Sequence, residues 1–334
     1  MAADPQPDRR SRWRALPAVG IALPIVVAIG VVVTVLRRDD TCRLPGDDSE
    51  PSLRWGVTAP GLPTDFGAVD QVAAELGSYP DTVMWYASWT LDEDFPASAA
   101  ATTAAAGATP QITWEPWDPA AGADQQTYPL AGIAAGDFDD YVGRWAAQIA
   151  AYGQPVELRF AHEMNADFYP WSEVDGRNPP GSYVDAWRRV HDVFAEAGAD
   201  NVTWIWSPNV PFPQTTDLAS LYPGDDYVDA VALDGYNWST VLPETTWQSF
   251  DAVFAPGIDE LRELTSRPVF IGEVASAEQG GDKAAWVSDM FDTLQARSDI
   301  CGFTWFHIAK ETDWRIDSST ESLVAFRAGL TAAD

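Results

Sequence analysis

The chain has 334 residues, enough for one large domain, and 46% of them are hydrophobic, so most of it is expected to fold. A net charge of −30 argues against nucleic acid as a partner, since phosphate binding needs clustered Lys and Arg. The charge is uneven: residues 1–38 hold six Arg and two acids, whereas the rest holds 14 basic and 48 acidic residues.

The first segment has its own identity. Residues 1–14 carry Arg9, Arg10, Arg12 and Arg14 and read as a basic N-terminus on the cytoplasmic side. Residues 15–36, "ALPAVGIALPIVVAIGVVVTVL", are 22 residues without a charge, long enough to cross a bilayer. Arg37 and Arg38 follow. No small-residue cleavage site stands out, so the segment reads as an uncleaved signal anchor, with later release by processing left open. The excess of Arg on the N-terminal side places the rest of the chain outside the cell, as a single-pass protein of the cell membrane. Residues 37–52 form a linker, and residues 53–334 form the folded domain.

After residue 52 one pattern repeats. Short runs rich in β-branched and aromatic residues alternate with amphipathic or Ala-rich stretches. The runs are Leu53–Ala59, Thr82–Trp89, Pro110–Trp117, Val156–Glu163, Val202–Pro208, Ala230–Tyr236, Pro268–Val274 and Gly302–Ile308. Between them, Phe138, Tyr141, Val142, Trp145 and Ile149 recur on one helical face, as do Val287, Met290, Phe291 and Leu294. Eight strand–helix units in about 280 residues predict an α/β fold of the closed (β/α)8, or TIM, barrel type. An open doubly wound sheet is the competitor, but no glycine-rich phosphate loop follows the first strand.

In such a barrel, chemistry sits where strands end. The fourth run ends in His162-Glu163 and the seventh in Glu273. A zinc-protease motif would need a second His at position 166, which is Ala, and the chain has only three His, so no metal is expected. Strand alternation predicts that Glu157, Arg159, Ala161 and Glu163 share a face, and likewise Val269, Ile271 and Glu273. Two carboxylates at neighbouring strand mouths suit glycoside hydrolysis, one as acid and one as nucleophile; a pair of ion-paired structural glutamates is the alternative. Trp114, Trp117, Trp171, Trp206, Tyr236, Trp238 and Trp305 fall at or just after strand ends, where flat rings can bind sugar faces.

Five ordered blocks carry a resemblance: "RFAHEMNADFYPW" at 159–171, "WIWSPN" at 204–209, "YPGDDYVDAVALDGYNW" at 222–238, "FIGEVAS" at 270–276 and "WFHIAKETDWRID" at 305–317. Together they resemble glycoside hydrolase family 26, over roughly residues 53–330. The resemblance implies a retaining enzyme without cofactor or metal, acting on a polysaccharide. It implies endo-cleavage of β-1,4-mannan first, with mixed-linkage β-1,3-1,4-glucan as the alternative. A non-catalytic glycan-binding barrel and a metal-dependent hydrolase are the rivals from other classes. The implied roles are acid/base for Glu163, nucleophile for Glu273, sugar contact for His162, a hydrogen bond to the nucleophile for Tyr236 and a sugar platform for Trp305. Asn209 and Arg159 would support the carboxylates, with Asp234 beside the site. Trp114, Glu115, Phe168, Trp171 and Trp238 are read as further substrate contacts. Departures from the family pattern are Ala166 for Gly, Phe168 for Trp, and a third strand ending in "TWEPW" (113–117) where mannanases often show a His.

The two cysteines are far apart in sequence. Cys42 lies eleven residues before the first predicted strand and Cys301 just before the eighth. In a closed barrel those strands are neighbours, so a disulfide at the barrel floor is expected outside the cell, two unpaired cysteines being the alternative. A monomer is expected.

Overall fold

The computed structural model describes residues 42–44 and 52–333. The expected cytoplasmic segment (1–14) and anchor (15–36) lie outside the described residues, as does most of the linker. Among the described residues no helix is long and apolar enough to cross a membrane.

Eight parallel strands close into a barrel in the order β1 to β8. They are β1 (Arg54–Thr58), β2 (Thr82–Ser88), β3 (Thr109–Glu115), β4 (Val156–Phe160), β5 (Val202–Trp206), β6 (Ala230–Asn237), β7 (Val269–Ser276) and β8 (Ile300–Phe306). The sheet closes through five aligned pairs of β1 and β8, from Arg54 opposite Gly302 to Thr58 opposite Phe306. The helices are α1 (Gly67–Leu76), α2 (Ala97–Ala105), α3 (Leu130–Ala135), α4 (Asp139–Tyr152), α5 (Ser182–Ala197), α6 (Leu218–Leu221), α7 (Phe250–Leu264), α8 (Lys283–Ala296) and α9 (Thr320–Ala333). Local chemistry sets their ends. Ser249 accepts from the N–H of Ala252 at the start of α7, and Asp282 accepts from that of Ala285 at the start of α8, so each satisfies an orphan donor.

The strands alternate between a polar interior and an apolar exterior. In β3, Gln111, Thr113 and Glu115 alternate with Ile112 and Trp114; in β4, Glu157 and Arg159 alternate with Val156, Leu158 and Phe160. The outward rings build the layer between barrel and helices. Trp114 stacks on Trp145 of α4 at 4.8 Å, and such pairs add about 0.5–1.5 kcal/mol beyond their buried area. The lower interior is held by Glu157, which accepts from Arg54 at 2.7 Å and from Gln111 at 2.8 Å. Below it, Cys42 and Leu44 pack with Ile205, Ala230, Ala232 and Phe270. Cys42 is disulfide-bonded to Cys301, with Cα atoms 5.0 Å apart.

Two expectations about strand faces are corrected. First, β4 ends at Phe160, so Ala161 and Glu163 do not continue the face of Arg159. Ala161 and Glu163 both take positive φ, 45° and 52°, a conformation that strains side chains with a Cβ and is found where structure holds a residue for a purpose. Second, Ile271 and Glu273 do not share a face. Leu233 is opposite Ile271, but Asp234 is opposite Glu273, so Gly272 is an extra residue in β7. This bulge turns Ile271 outward and Glu273 inward.

Candidate active site

At the C-terminal mouth of the barrel, one buried guanidinium organises the carboxylates. Arg159, fully buried, donates to Oε1 of Glu273 and to Oγ1 of Thr113, both at 3.0 Å, and to Oγ of Ser207 at 3.1 Å. It also forms a short ion pair with Asp234. Ser207 in turn donates to Oδ1 of Asp234 at 2.9 Å. Gly272 makes this packing possible, since a Cβ there would lie 2.6 Å from Oγ of Ser207 and also overlap the Asp234 carboxylate.

Glu273 receives a second hydrogen bond, from the Tyr236 hydroxyl to Oε2 at 2.6 Å. Both its oxygens therefore accept a hydrogen bond, one from within the barrel and one from β6. Burial, and then the Glu273 charge, hold the Tyr236 hydroxyl protonated far above its ordinary range.

Glu163 sits in a different environment. Its backbone N–H donates to the carbonyl of Ser207 at 2.7 Å, which fixes the loop after β4 against the end of β5. Its Oε1 accepts from Asn209 at 2.9 Å. Asn209 is itself locked, because Asn165 donates to its carbonyl and accepts from its N–H, at 2.8 and 2.9 Å. Burial first, and then the Glu273 charge, push the Glu163 carboxyl up to about 8, against the pull of Asn209 and Arg159. A third carboxyl, Glu115 at the end of β3, is likewise pushed to about 8, mainly by burial. Asp234 and Glu273 share the buried Arg159, and burial pushes the Asp234 carboxyl well above its ordinary range as well, against the pull of Arg159.

The expected site residues fall into three groups. Glu163, Glu273, Arg159, Asn209, Tyr236, His162 and Glu115 converge on the mouth. His162 is buried between rings, 6.0 Å from Tyr86 and 4.8 Å from Tyr169, with Nδ1 unpaired. Burial and the Arg159 charge keep it neutral well below its ordinary range. Trp238 is half-buried, edge-on to Trp314, which also packs on Tyr236. Phe168 is exposed and stacks on Phe212, their centroids 6.0 Å apart.

Other assignments are corrected. Trp305 is no sugar platform: it faces outward, fully buried against Phe326 of α9 and Trp286 of α8, and donates to the carbonyl of Trp314. Trp114 is a core residue between β3 and α4, and Trp206 packs outward on Tyr222. Trp171 lies buried behind Tyr169, stacked at 4.5 Å, and donates to the carbonyl of His162, so it orients that residue from behind. Asp234, by contrast, does sit beside the site as expected: it is fully buried, pairs with Arg159 and brings a carboxylate oxygen within 4.8 Å of His162 and Glu273. Asn165, Ser207, Thr113 and Trp314 were not anticipated. Of these, Ser207 alone had a local signal, two residues before Asn209 at the end of β5.

His162, Asp234 and Glu273 also offer ligand atoms within 4.8 Å of one another. Arg159 already bonds both carboxylates, so its guanidinium takes the cationic place in that group.

The model of glycosyl hydrolase family 26 matches residues 103–298. Endoglucanase H of Acetivibrio thermocellus is 37% identical over 257 residues, which is 75% of this chain and 27% of that protein. Mannan endo-1,4-beta-mannosidase A and B of Caldalkalibacillus mannanilyticus is 37% identical over 91 residues, 25% of this chain and 17% of that protein. The chain thus spans about a quarter or less of these relatives. A modular endo-beta-1,4-mannanase from Cellulomonas fimi has the same fold, with a TM-score of 0.64 at 19% identity over 85% of this chain and 71% of that one.

Proposed function

The chain belongs to glycosyl hydrolase family 26, and from that membership we propose that it is a retaining, endo-acting β-glycanase. One observation carries the reading: two glutamates share one cleft in opposite electrostatic environments. Glu273 sits between Arg159 and Tyr236 and is the nucleophile, while Glu163 has one neutral donor and is the acid. Glu273 attacks the anomeric carbon as Glu163 protonates the leaving oxygen; water then enters with Glu163 as base. Arg159 and Tyr236 hold the attacking carboxylate in line, and His162 lines the wall beside the acid.

The test is proton NMR of the first sugar released, together with Glu273→Ala. Retention gives the β-anomer first, and the variant should fold normally with turnover abolished. Initial α-anomer, or an active Glu273→Ala protein, would sink the mechanism.

The substrate belongs to the same proposal. Mixed-linkage β-glucan ranks ahead of β-1,4-mannan, because the long match is to a protein named as an endoglucanase and the mannosidase match is short. Reducing-sugar release from barley-type β-glucan and from linear mannan separates the two, and release from neither favours a glycan-binding barrel.

We also propose that residues 15–36 tether the chain, with the barrel outside the cell. The Cys42–Cys301 bridge supports this, since disulfides persist in oxidising compartments. Protease treatment of intact cells expressing the full chain should remove the barrel; protection would overturn the orientation.

A further inference from the structure

Lys283 opens α8 in a place that local chemistry disfavours. The positive end of a helix dipole favours acids in the first turn, and after the Asp282 cap this turn has none. The residue is also only 1% exposed, and a lysine at that depth is rare without partners. Its partners lie in the loop after β8. Nζ donates to the carbonyl of Arg315 and to Oγ of Ser318, both at 2.7 Å. Ser318 in turn donates to Oε1 of Glu278, in the loop after β7, at 2.5 Å. Burial brings the ammonium down to about 8 against the pull of Glu278, Asp313 and Asp317, and Arg315 adds to the fall. The side chain is therefore cationic at neutral pH.

The loop after β8 is fastened at three successive residues by buried side chains. Trp305 donates to the carbonyl of Trp314 at 2.9 Å, and Lys283 donates to that of Arg315. Nδ1 of His307 accepts from the N–H of Ile316 at 3.0 Å. Lys283 also lies over the Trp305 ring, 5.7 Å from its centroid. Hydrogen bonds to successive backbone groups fix the rotation of the chain, which apolar packing alone does not, and a satisfied buried network is rigid. Held in this way, the loop seats Trp314 against the Tyr236 ring at 5.3 Å, and Tyr236 aims its hydroxyl at Glu273. Resting on the reading above, we propose that Lys283 is a positioning residue for the nucleophile: it locks the loop after β8 so that Trp314 holds Tyr236 in line with Glu273. Its own hydrogen bonds go to the loop rather than to the cleft carboxylates.

The test is a double-mutant cycle of Lys283→Met and Tyr236→Phe, on whichever of mixed-linkage β-glucan and linear mannan the wild type cleaves. Met keeps the apolar stem of the side chain and removes its donor. Lys283→Met alone should lower kcat about five- to tenfold with KM within about twofold, since a misaimed hydroxyl loses part of what a removed one loses. In Tyr236→Phe no hydroxyl is left to aim, so adding Lys283→Met should cost about twofold or less. Ser318→Ala removes one of the lysine's contacts from the loop side. It should show the same dependence on Tyr236 with a smaller loss, and it decides the question if Lys283→Met does not fold. Equal losses in both backgrounds, or a lowered thermal midpoint with wild-type kcat, would mean a structural role and overturn the proposal. A wild type that is inactive on both glycans removes the hydrolase reading and this proposal with it, whereas an active wild type with additive losses removes this proposal alone.

Discussion

Tyr236 donates to Glu273 from above the barrel floor, at 2.6 Å, while Arg159 reaches the other oxygen of the same carboxylate from within the barrel. The carboxylate is clamped at both ends, and only its orientation toward the cleft is left for substrate. Tyr236→Phe removes one clamp without emptying the site. Loss of roughly ten- to a hundredfold in kcat is expected, by analogy with the removal of one preorganised donor, with little change in KM. Steady-state kinetics on the preferred glycan decide it, and a change confined to KM would contradict the positioning role.

The acid has its own signature. With Glu163 raised to about 8, kcat/KM should fall as pH rises through that region. Because Glu163 interacts with Glu273, the apparent value belongs to the coupled group. Glu163→Gln should abolish this alkaline limb and lower kcat on polysaccharide by about 10²- to 10⁴-fold. Aryl glycosides whose leaving group needs no proton should lose far less in the first step. A uniform loss on both substrate types would count against Glu163 as the acid.

The same proton links activity to stability. The folded-state value of Glu163, about 8, lies above its ordinary 4.5. Between those pH values the native state holds a proton that the unfolded chain has lost. The stability this represents is complete below about 4.5 and lost as pH rises through 8. Relative to wild type, Glu163→Gln should therefore gain in thermal midpoint from pH 5 to pH 9. Calorimetry at several pH values measures the trend, and a parallel shift at all pH values would refute it.

Gly272 is where fold and site meet. Ala at that position would push into Ser207 and Asp234, the partners of Arg159. A cost of about 1–3 kcal/mol is expected from overpacking, with a loss of activity greater than the loss of stability. Denaturant unfolding and kinetics on the same preparation test whether the two separate.

The floor bridge can be tested without touching the cleft. Cys301→Ser, or reduction, should lower stability by about 2–4 kcal/mol while kcat stays near wild type, since the bridge lies at the opposite end of the barrel. Unchanged unfolding after confirmed reduction would show that it is dispensable.

Much of this protein was legible in its sequence because the relevant signals are local. Eight apolar runs with helical stretches between them specify the barrel, since period and order along the chain determine parallel pairing. Carboxylates at the ends of two runs mark the mouth, because strand ends and active sites coincide in this architecture. What the sequence left open was direction. Trp114 and Trp305 end apolar runs as plausibly as true site residues do, but only ring closure decides which face of each strand looks inward. A single extra residue, Gly272, reverses the phase of β7 and turns Glu273 into the cleft; strict alternation cannot show it. The locking of Asn209 by Asn165, and the sharing of Arg159 by Asp234 and Glu273, join residues 44 to 114 positions apart. Such contacts exist only once the barrel has closed, so the two glutamates at the strand ends could be picked out from the chain, whereas their opposite electrostatic settings were decided by the tertiary structure.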